Sequence, residues 1–419
     1  MKMRLIFSAA MFAGAFFPAL GVCAADAPPP REFAITPVEI KEAPAFLMQV
    51  TAPDATCAAV SDAASLLVVG RHAKDGKHLA VFKLGADGKP GAEPVWITLP
   101  KPDTLAANFN YPLGLLFHPK LPLLYVWQDI DGPAPKHQEK DPAFVPWLEF
   151  DHLLIYAVKD GALELVHEGA RGTGFHVGLT AGTVGLDFAQ KHLFIPNSQG
   201  DTPDVAGIAF YELDEDGLPA EDVETAPKRG KEKGVEVTVG KNAVRKVIRK
   251  VVPKLNRSNR YYPTGIGWAA GSEAIIMGGY SGCMMGDFHD GILRQAWFDL
   301  PELTGPTAIA AHPSQPMLYL CLQDHRYFYA IQQVNGWITL LPQIAAVGAN
   351  AHMIGVPVVI EKQAKIAVGD AKALHLFGIQ TDGRLDGKGE RLKLNCALVK
   401  GLACSEKYGR LYVAVDKAE

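Results

Sequence analysis

Gly305 to Gln323 reads GPTAIAAHPSQPMLYLCLQ and spells two buried strands joined by a proline-bounded turn. Thr307 to Ala311 is a short strand that His312-Pro313-Ser314-Gln315-Pro316 cannot continue, because neither proline has an N–H for the ladder. Met317 to Leu322 resumes as an unbroken apolar run, the pattern of a strand buried on both faces. The phrase recurs at Tyr111 to Gln128, YPLGLLFHPKLPLLYVWQ, which keeps His-Pro, a second proline three positions after the first, and Leu-Tyr at the same offsets. Tyr262 to Trp268 (YPTGIGW) matches Tyr111 to Phe117 at Tyr, Pro and Gly, and Gly182 to Phe188 (GTVGLDF) keeps the Gly and the closing aromatic.

Working outward, second-strand phrases begin at Leu66, Leu123, His192, Ala274, Met317, Lys365 and Arg410. Asp-Gly turns at Asp87-Gly88, Asp216-Gly217 and Asp382-Gly383 follow third strands. Repetition of one strand group along a chain is the signature of a radial array, whatever the length alone would imply about domain number. The expected fold is therefore all-β: a single seven-bladed antiparallel β-propeller over residues 33–419. Phe33 to Ile40 and Phe46 to Thr51 have no inner partners, and Leu398 to Cys404 and Arg410 to Val415 have no outer ones. Completing one four-stranded sheet from both chain ends would close the ring and hide strand edges. Two insertions interrupt the pattern, 131–151 as a surface excursion and 224–260 as a basic segment. Within the second, Val235 to Val239 alternates as a fourth strand. Val244, Val247, Ile248, Val251 and Val252 have the spacing of a short amphipathic helix ended by Pro253.

The chain opens Met-Lys-Met-Arg, continues apolar from Leu5 to Val22 and reaches Cys23-Ala24-Ala25, the order of a secretory signal peptide over 1–25. Residues 26–32, with Pro28-Pro29-Pro30, read as a stiff linker. The expectation is an extracytoplasmic protein, periplasmic or secreted, with no membrane span after cleavage. Val22 is larger than the residue that normally precedes a lipidated cysteine, which disfavours a lipoprotein at Cys23. Cys57, Cys283, Cys321, Cys396 and Cys404 are too few and too scattered for a disulfide scaffold or a zinc cluster; they read as buried thiols, with one disulfide among Cys57, Cys396 and Cys404 at the ring seam as the alternative. The formal net charge is −4, yet Lys228 to Arg260 holds twelve Lys or Arg against Glu232 and Glu236. That segment fits an anionic partner or the acidic body of its own chain; nucleic acid is not the expected partner.

In this blade order, first strands begin and second strands end on one rim around the channel, where a small-molecule or protein ligand is expected. The residues placed there for ligand binding are Tyr111, Asn197, Arg260, Tyr262, Gln323, Asp324 and His352, with Arg71, Asn110, Gln128, Asp129 and Asp370 in comparable positions. His176 is the candidate catalytic residue, since an acid/base pair would need it beside Asp201 or Asp324. His118 and His312 precede prolines and read as turn residues away from that rim. Gly279-Tyr280-Ser281-Gly282-Cys283 breaks the G-x-S-x-G pattern at its last position, and neither H-E-x-x-H nor C-x-x-C-H occurs. No cofactor and no metal is expected.

The strand pairs with Pro or Ser-Asp turns, followed by VFKLGADGKP (Val81 to Pro90) or FYELDEDGLP (Phe210 to Pro219), resemble the lactonase-type seven-bladed propellers. That family includes 6-phosphogluconolactonase and the related YVTN-repeat propellers. The resemblance spans nearly the whole mature chain and implies the propeller fold and a lactone-opening activity. It also implies functional Arg, His and Glu from a Gly-Pro-Arg-His opening and an Asn-Glu strand end. Here Gly305-Pro306 leads into Thr307-Ala308, and the second strand ends Gln323-Asp324; His176 is the residue carried across as equivalent to a family histidine. The expected function is thus ligand or partner binding at the channel mouth without catalysis. The alternative is a lactone hydrolase with a rearranged site.

Overall fold

A computed structural model describes residues 38–40, 44–100, 109–133, 147–168, 185–186, 190–197, 207–219, 246–247, 263–268, 274–279, 282–289, 292–298, 307–322, 327–334, 337–346, 354–369, 373–386, 389–394 and 399–416. Two strands come first, β1 (Val38–Ile40) and β2 (Leu47–Thr51). Four-stranded antiparallel sheets follow, each paired in chain order. The first is β3 (Ala55–Ser61), β4 (Leu66–Arg71), β5 (Leu79–Lys83) and β6 (Val95–Ile97). The second is β7 (Phe109–Phe117), β8 (Leu123–Pro133), β9 (Trp147–Lys159) and β10 (Ala162–Glu168). The third is β11 (Gly185–Leu186), β12 (His192–Asn197), β13 (Gly207–Glu212) and β14 (Lys246–Val247). Next come β15 (Pro263–Trp268), β16 (Ala274–Gly279), β17 (Gly282–His289) and β18 (Ile292–Phe298). Then come β19 (Thr307–Ala311), β20 (Met317–Leu322), β21 (Tyr327–Val334) and β22 (Trp337–Ala346). β23 (Ile354–Ile360), β24 (Lys365–Gly369), β25 (Ala373–Gly378) and β26 (Glu390–Lys393) precede the last pair, β27 (Val399–Ser405) and β28 (Arg410–Val415).

The middles of β4, β8, β20, β24 and β28 are unbroken apolar runs, buried on both faces. Along β4, Leu66 and Val68 pack with Leu124, Val126 and Leu154 of the following sheet. Leu67 and Val69 pack the other way, with Tyr412 and Ala414 of β28. A core leucine of this kind is worth about 1.5–3 kcal/mol against exposure, so unbroken apolar runs, rather than alternating ones, are what a stack of sheets selects. Trp127, Tyr125 and Leu123 of β8 likewise meet Leu193 and Leu213 of the third sheet.

Three tyrosines repeat one contact between neighbouring sheets. Tyr125 donates to the Gly217 carbonyl at 2.8 Å, Tyr319 to that of Gly383 at 3.0 Å, and Tyr412 to that of Gly88 at 2.7 Å. Each acceptor is the glycine of an Asp-Gly turn, held at φ 77°, 82° or 77° for Gly217, Gly383 and Gly88 respectively. At Gly383 a Cβ would lie 2.5 Å from Met317 Cγ, so the turn requires glycine for space as well as for its backbone angle. Burial pushes all three phenols above their ordinary range, which keeps them protonated as donors.

The His-Pro turns close the same hairpins. His118 Nδ1 accepts from Lys120 N at 3.1 Å and Leu121 N at 2.9 Å; His312 Nδ1 accepts from Ser314 N at 3.2 Å and Gln315 N at 3.1 Å. Further along this turn rim three successive sheets each donate to a carboxylate of the next. Ser314 Oγ donates to Glu361, Glu361 N to Glu406 at 3.0 Å, and Ser405 Oγ and Lys407 N to Asp62, the last at 2.9 Å.

The chain ends meet, but not as one four-stranded sheet. β2 pairs with β28 in register Leu47↔Leu411 to Thr51↔Val415, and it does so parallel. β1 lies in the preceding sheet, parallel to β26, as its fifth strand. The reason is direction: β2 must deliver Thr51 to the rim where β3 starts at Ala55. An antiparallel β2 would end at the opposite rim. β1 runs the same way as β2, so the two cannot form a hairpin and each covers the open edge of a different sheet.

Two further expectations are corrected. Both ends of the 131–151 insertion are sheet: β8 and β9 continue in register to Pro133↔Trp147. β8 has 11 residues where β4 has 6. At ~3.3 Å per residue, the difference raises a ribbon about 16 Å above the strand-end rim. Of the expected helix, Lys246 and Val247 instead pair with Phe210 and Ala209 as an edge strand, taking the place given to Val235 to Val239. β-branched valines favour that outcome. The rest of both stretches, and residues 1–37, lie outside the described residues.

Candidate functional site

The strand-end rim is described between the first two sheets, and most of its polar groups are engaged there. Arg71 closes β4 with 6% exposure. Its Nε donates to the Pro53 carbonyl at 2.7 Å, and Nη1 donates to that of Lys77 at 2.8 Å and lies 3.6 Å from Asp75. The guanidinium sits 4.7 Å above the exposed Trp96 ring. Arg71 therefore ties the β4–β5 hairpin to the entry of β3, and is not a residue held out to a ligand.

Tyr111 stands opposite Asp129 in the β7–β8 ladder, and its ring rests 4.5 Å from that of His72. His72 is placed by its own N–H, which donates to the Asp54 carbonyl at 2.7 Å; Asp54, at φ 60°, donates to Asp416 Oδ1 at 2.6 Å. Both residues are half-buried, and their rings make a tilted pair, 35° between planes, at the strand-end rim. His72, not singled out from the sequence, follows directly after the second-strand phrase and so comes to lie beside Tyr111.

Asn110 and Gln128 meet beside this pair. Gln128 Nε2 donates to Asn110 Oδ1 at 2.6 Å and to the Pro100 carbonyl at 2.7 Å, while Gln128 Oε1 is buried with no hydrogen-bond partner. Below, Thr56 Oγ1 donates to the Pro112 carbonyl at 2.7 Å. Gly70 leaves room for that proline, since a Cβ there would lie 2.6 Å from Pro112 Cγ. Cys57 is buried, and burial pushes its thiol to about 12, so at neutral pH it is no nucleophile. His78 is lowered by burial, with Asp75 pulling the other way and Arg71 adding to the fall; its Nδ1 accepts from Leu99 N at 3.0 Å. Among the described residues no group of three His, Cys, Asp or Glu is placed to hold a metal ion.

Asn197 ends β12 opposite Gly207, as a second-strand end should; its side chain is outside the described residues. Arg260, Tyr262, Gln323, Asp324, His352 and His176 lie outside them as well. Beside Tyr111 the ribbon continues upward, and its register places Asp129 opposite Asp151 and Asp131 opposite Glu149.

Successive hairpins that place their strand ends on a common rim can be compared with known folds. The periplasmic gluconolactonase of Pseudomonas aeruginosa superposes with a TM-score of 0.51 at 13% identity, over 83% of this chain and 94% of that one. The chain's structural neighbours are lactonase-type β-propellers. A candidate 6-phosphogluconolactonase of Bacteroides fragilis gives 0.52 at 14% identity over 84% and 88%. One of Bacteroides uniformis gives 0.52 at 11% over 86% and 89%. No family model matches the sequence, and no curated protein sequence matches it. Identities this low carry the propeller fold and leave function to the residues at the rim.

Proposed function

We propose that this chain is an exported seven-bladed propeller that binds a small molecule or a protein at the polar channel mouth without transforming it. Residues 1–25 are the signal peptide and 26–32 the linker. The described strands fall into seven sheets. The contact from Tyr412 to Gly88 repeats, between the last sheet and the first, the one made by Tyr125 and Tyr319 between consecutive sheets, as a closed ring requires. The observation that carries the binding reading is the state of the described rim. Arg71, Asn110 and Gln128 are engaged with one another or with backbone carbonyls, and His72 and Tyr111 form a tilted aromatic pair beside them. Such an arrangement is built to hold a shape.

The second reading, a lactone hydrolase with a rearranged site using His176, is favoured by the likeness to a gluconolactonase. A panel of sugar lactones followed by acid release separates the two. The binding reading expects no release above buffer; turnover that disappears in His176→Ala would replace it with the hydrolase. Tyr111, Asn197, Arg260, Tyr262, Gln323, Asp324 and His352 are the proposed ligand contacts, and the basic segment 228–260 the proposed contact for an anionic partner.

A further inference from the structure

Backbone N–H groups can only donate, so a ring nitrogen that faces two of them must be an unprotonated acceptor. His118 Nδ1 faces Lys120 N and Leu121 N, and His312 Nδ1 faces Ser314 N and Gln315 N. Both imidazoles are therefore the neutral Nε2–H tautomer, and both are buried, 7% and 5% exposed. A proton on Nδ1 would turn two hydrogen bonds into two repulsions and place a charge in a buried site.

Each of these turns is also where one sheet rests on the next. Leu121 and Leu123 border the space where a Gly217 Cβ would fall, at 2.7 and 2.8 Å, and Tyr125 above them holds the Gly217 carbonyl. Gln315 and Met317 border Gly383 in the same way, at 2.9 and 2.5 Å, and Ser314 Oγ donates to Glu361. We infer that His118 and His312 are proton-sensitive latches: on mild acidification each releases its turn and loosens the contact that the turn makes with the following sheet.

The surrounding charges set the sign. Among the described residues, His118 has Lys120 on its own turn, the Tyr125 phenol at a ring separation of 6.2 Å, and Asp214 acting on that phenol. Burial lowers it and Lys120 lowers it further. His312 has Glu361 from the 3-10 turn Glu361–Gln363, whose charge raises it but less than burial lowers it. Its nearest hydroxyl is Ser314 Oγ at 3.4 Å from Nδ1. Both imidazoles thus titrate lower in the folded chain than in the unfolded one, where the value is about 6.5. Their stabilising contribution is complete above that pH and is lost as the pH falls below it, down to the folded-state value.

The test is amide hydrogen exchange on the full chain, corrected for the intrinsic pH dependence, with imidazole nitrogen shifts recorded on the same samples. Protection of the Lys120, Leu121, Ser314 and Gln315 amides is expected to be level from pH 7.5 to about 6.5 and then to fall toward pH 5.5, by about tenfold per pH unit at most, the effect of one proton. His118→Asn and His312→Asn place a non-titrating oxygen near the Nδ1 position and should flatten the profile at their own turns only. A wild-type profile that is already flat, an equal fall in the Asn variants, or a proton on Nδ1 at pH 7.5 would each overturn the latch. The wild-type shifts and exchange stand without the variants if these fold poorly. No readout involves a ligand, so the result is independent of what the channel mouth binds.

Discussion

The two rims of the hairpins use side chains in opposite ways. On the turn rim a few contacts recur from sheet to sheet: His-Pro imidazoles accepting turn N–H groups, tyrosines reaching Asp-Gly turns, carboxylates receiving the neighbouring turn. On the strand-end rim, described between the first two sheets, the contacts are of another kind: Arg71 on the Pro53 and Lys77 carbonyls, and Tyr111 against His72. Contacts repeated from sheet to sheet build a scaffold. Stability should therefore be concentrated on the turn rim and ligand recognition on the other.

The largest effect expected is from Gly88→Val. It forces a β-branched residue to φ 77° with its Cβ 2.7 Å from Tyr408, and should cost about 3 kcal/mol or more in urea unfolding. A loss under 1 kcal/mol would mean that the Asp-Gly turn is not a fixed point of the scaffold. Tyr412→Phe should cost about 1–2 kcal/mol by leaving the Gly88 carbonyl unpaired. Tyr125→Phe and Tyr319→Phe should match it within about 0.5 kcal/mol if the contact is one repeated device. A Tyr412 value far below the other two would separate the junction of the chain ends from the rest. Asp62→Ala, which removes the acceptor of Ser405 Oγ and Lys407 N, should cost about 1 kcal/mol. Lys74→Ala, exposed near the strand-end rim, should stay within about 0.5 kcal/mol by the same measurement. A larger change there would blur the division between the rims.

Much of the turn rim is legible in the amino-acid order. His-Pro at 118 and 312, Leu-Tyr in the second strands and the Asp-Gly turns are local signals, and each lies where its chemistry directs it. At the other rim, the repeat brings Tyr111 and Arg71 to strand ends but does not announce their partners: Tyr111 meets His72, and Arg71 is bound by backbone carbonyls. Nothing near it in sequence announces that Pro53, 18 positions earlier, will claim its guanidinium. The 131–151 insertion reads as a loop because its prolines and charges mask the register that joins Asp129 to Asp151. Valines at helical spacing around Lys246 read as a helix, but a free sheet edge at Ala209 and Phe210 takes Lys246 and Val247 into a ladder.

By itself the sequence determined what depends on neighbours a few residues away: strand runs and the turns that end them. Only the tertiary structure decided that β1 and β2 run parallel to β26 and β28 in two different sheets, and which rim groups pair. Strand periodicity carries no direction, and the partner of a buried guanidinium or amide is settled by which backbone carbonyls the packed sheets bring within reach.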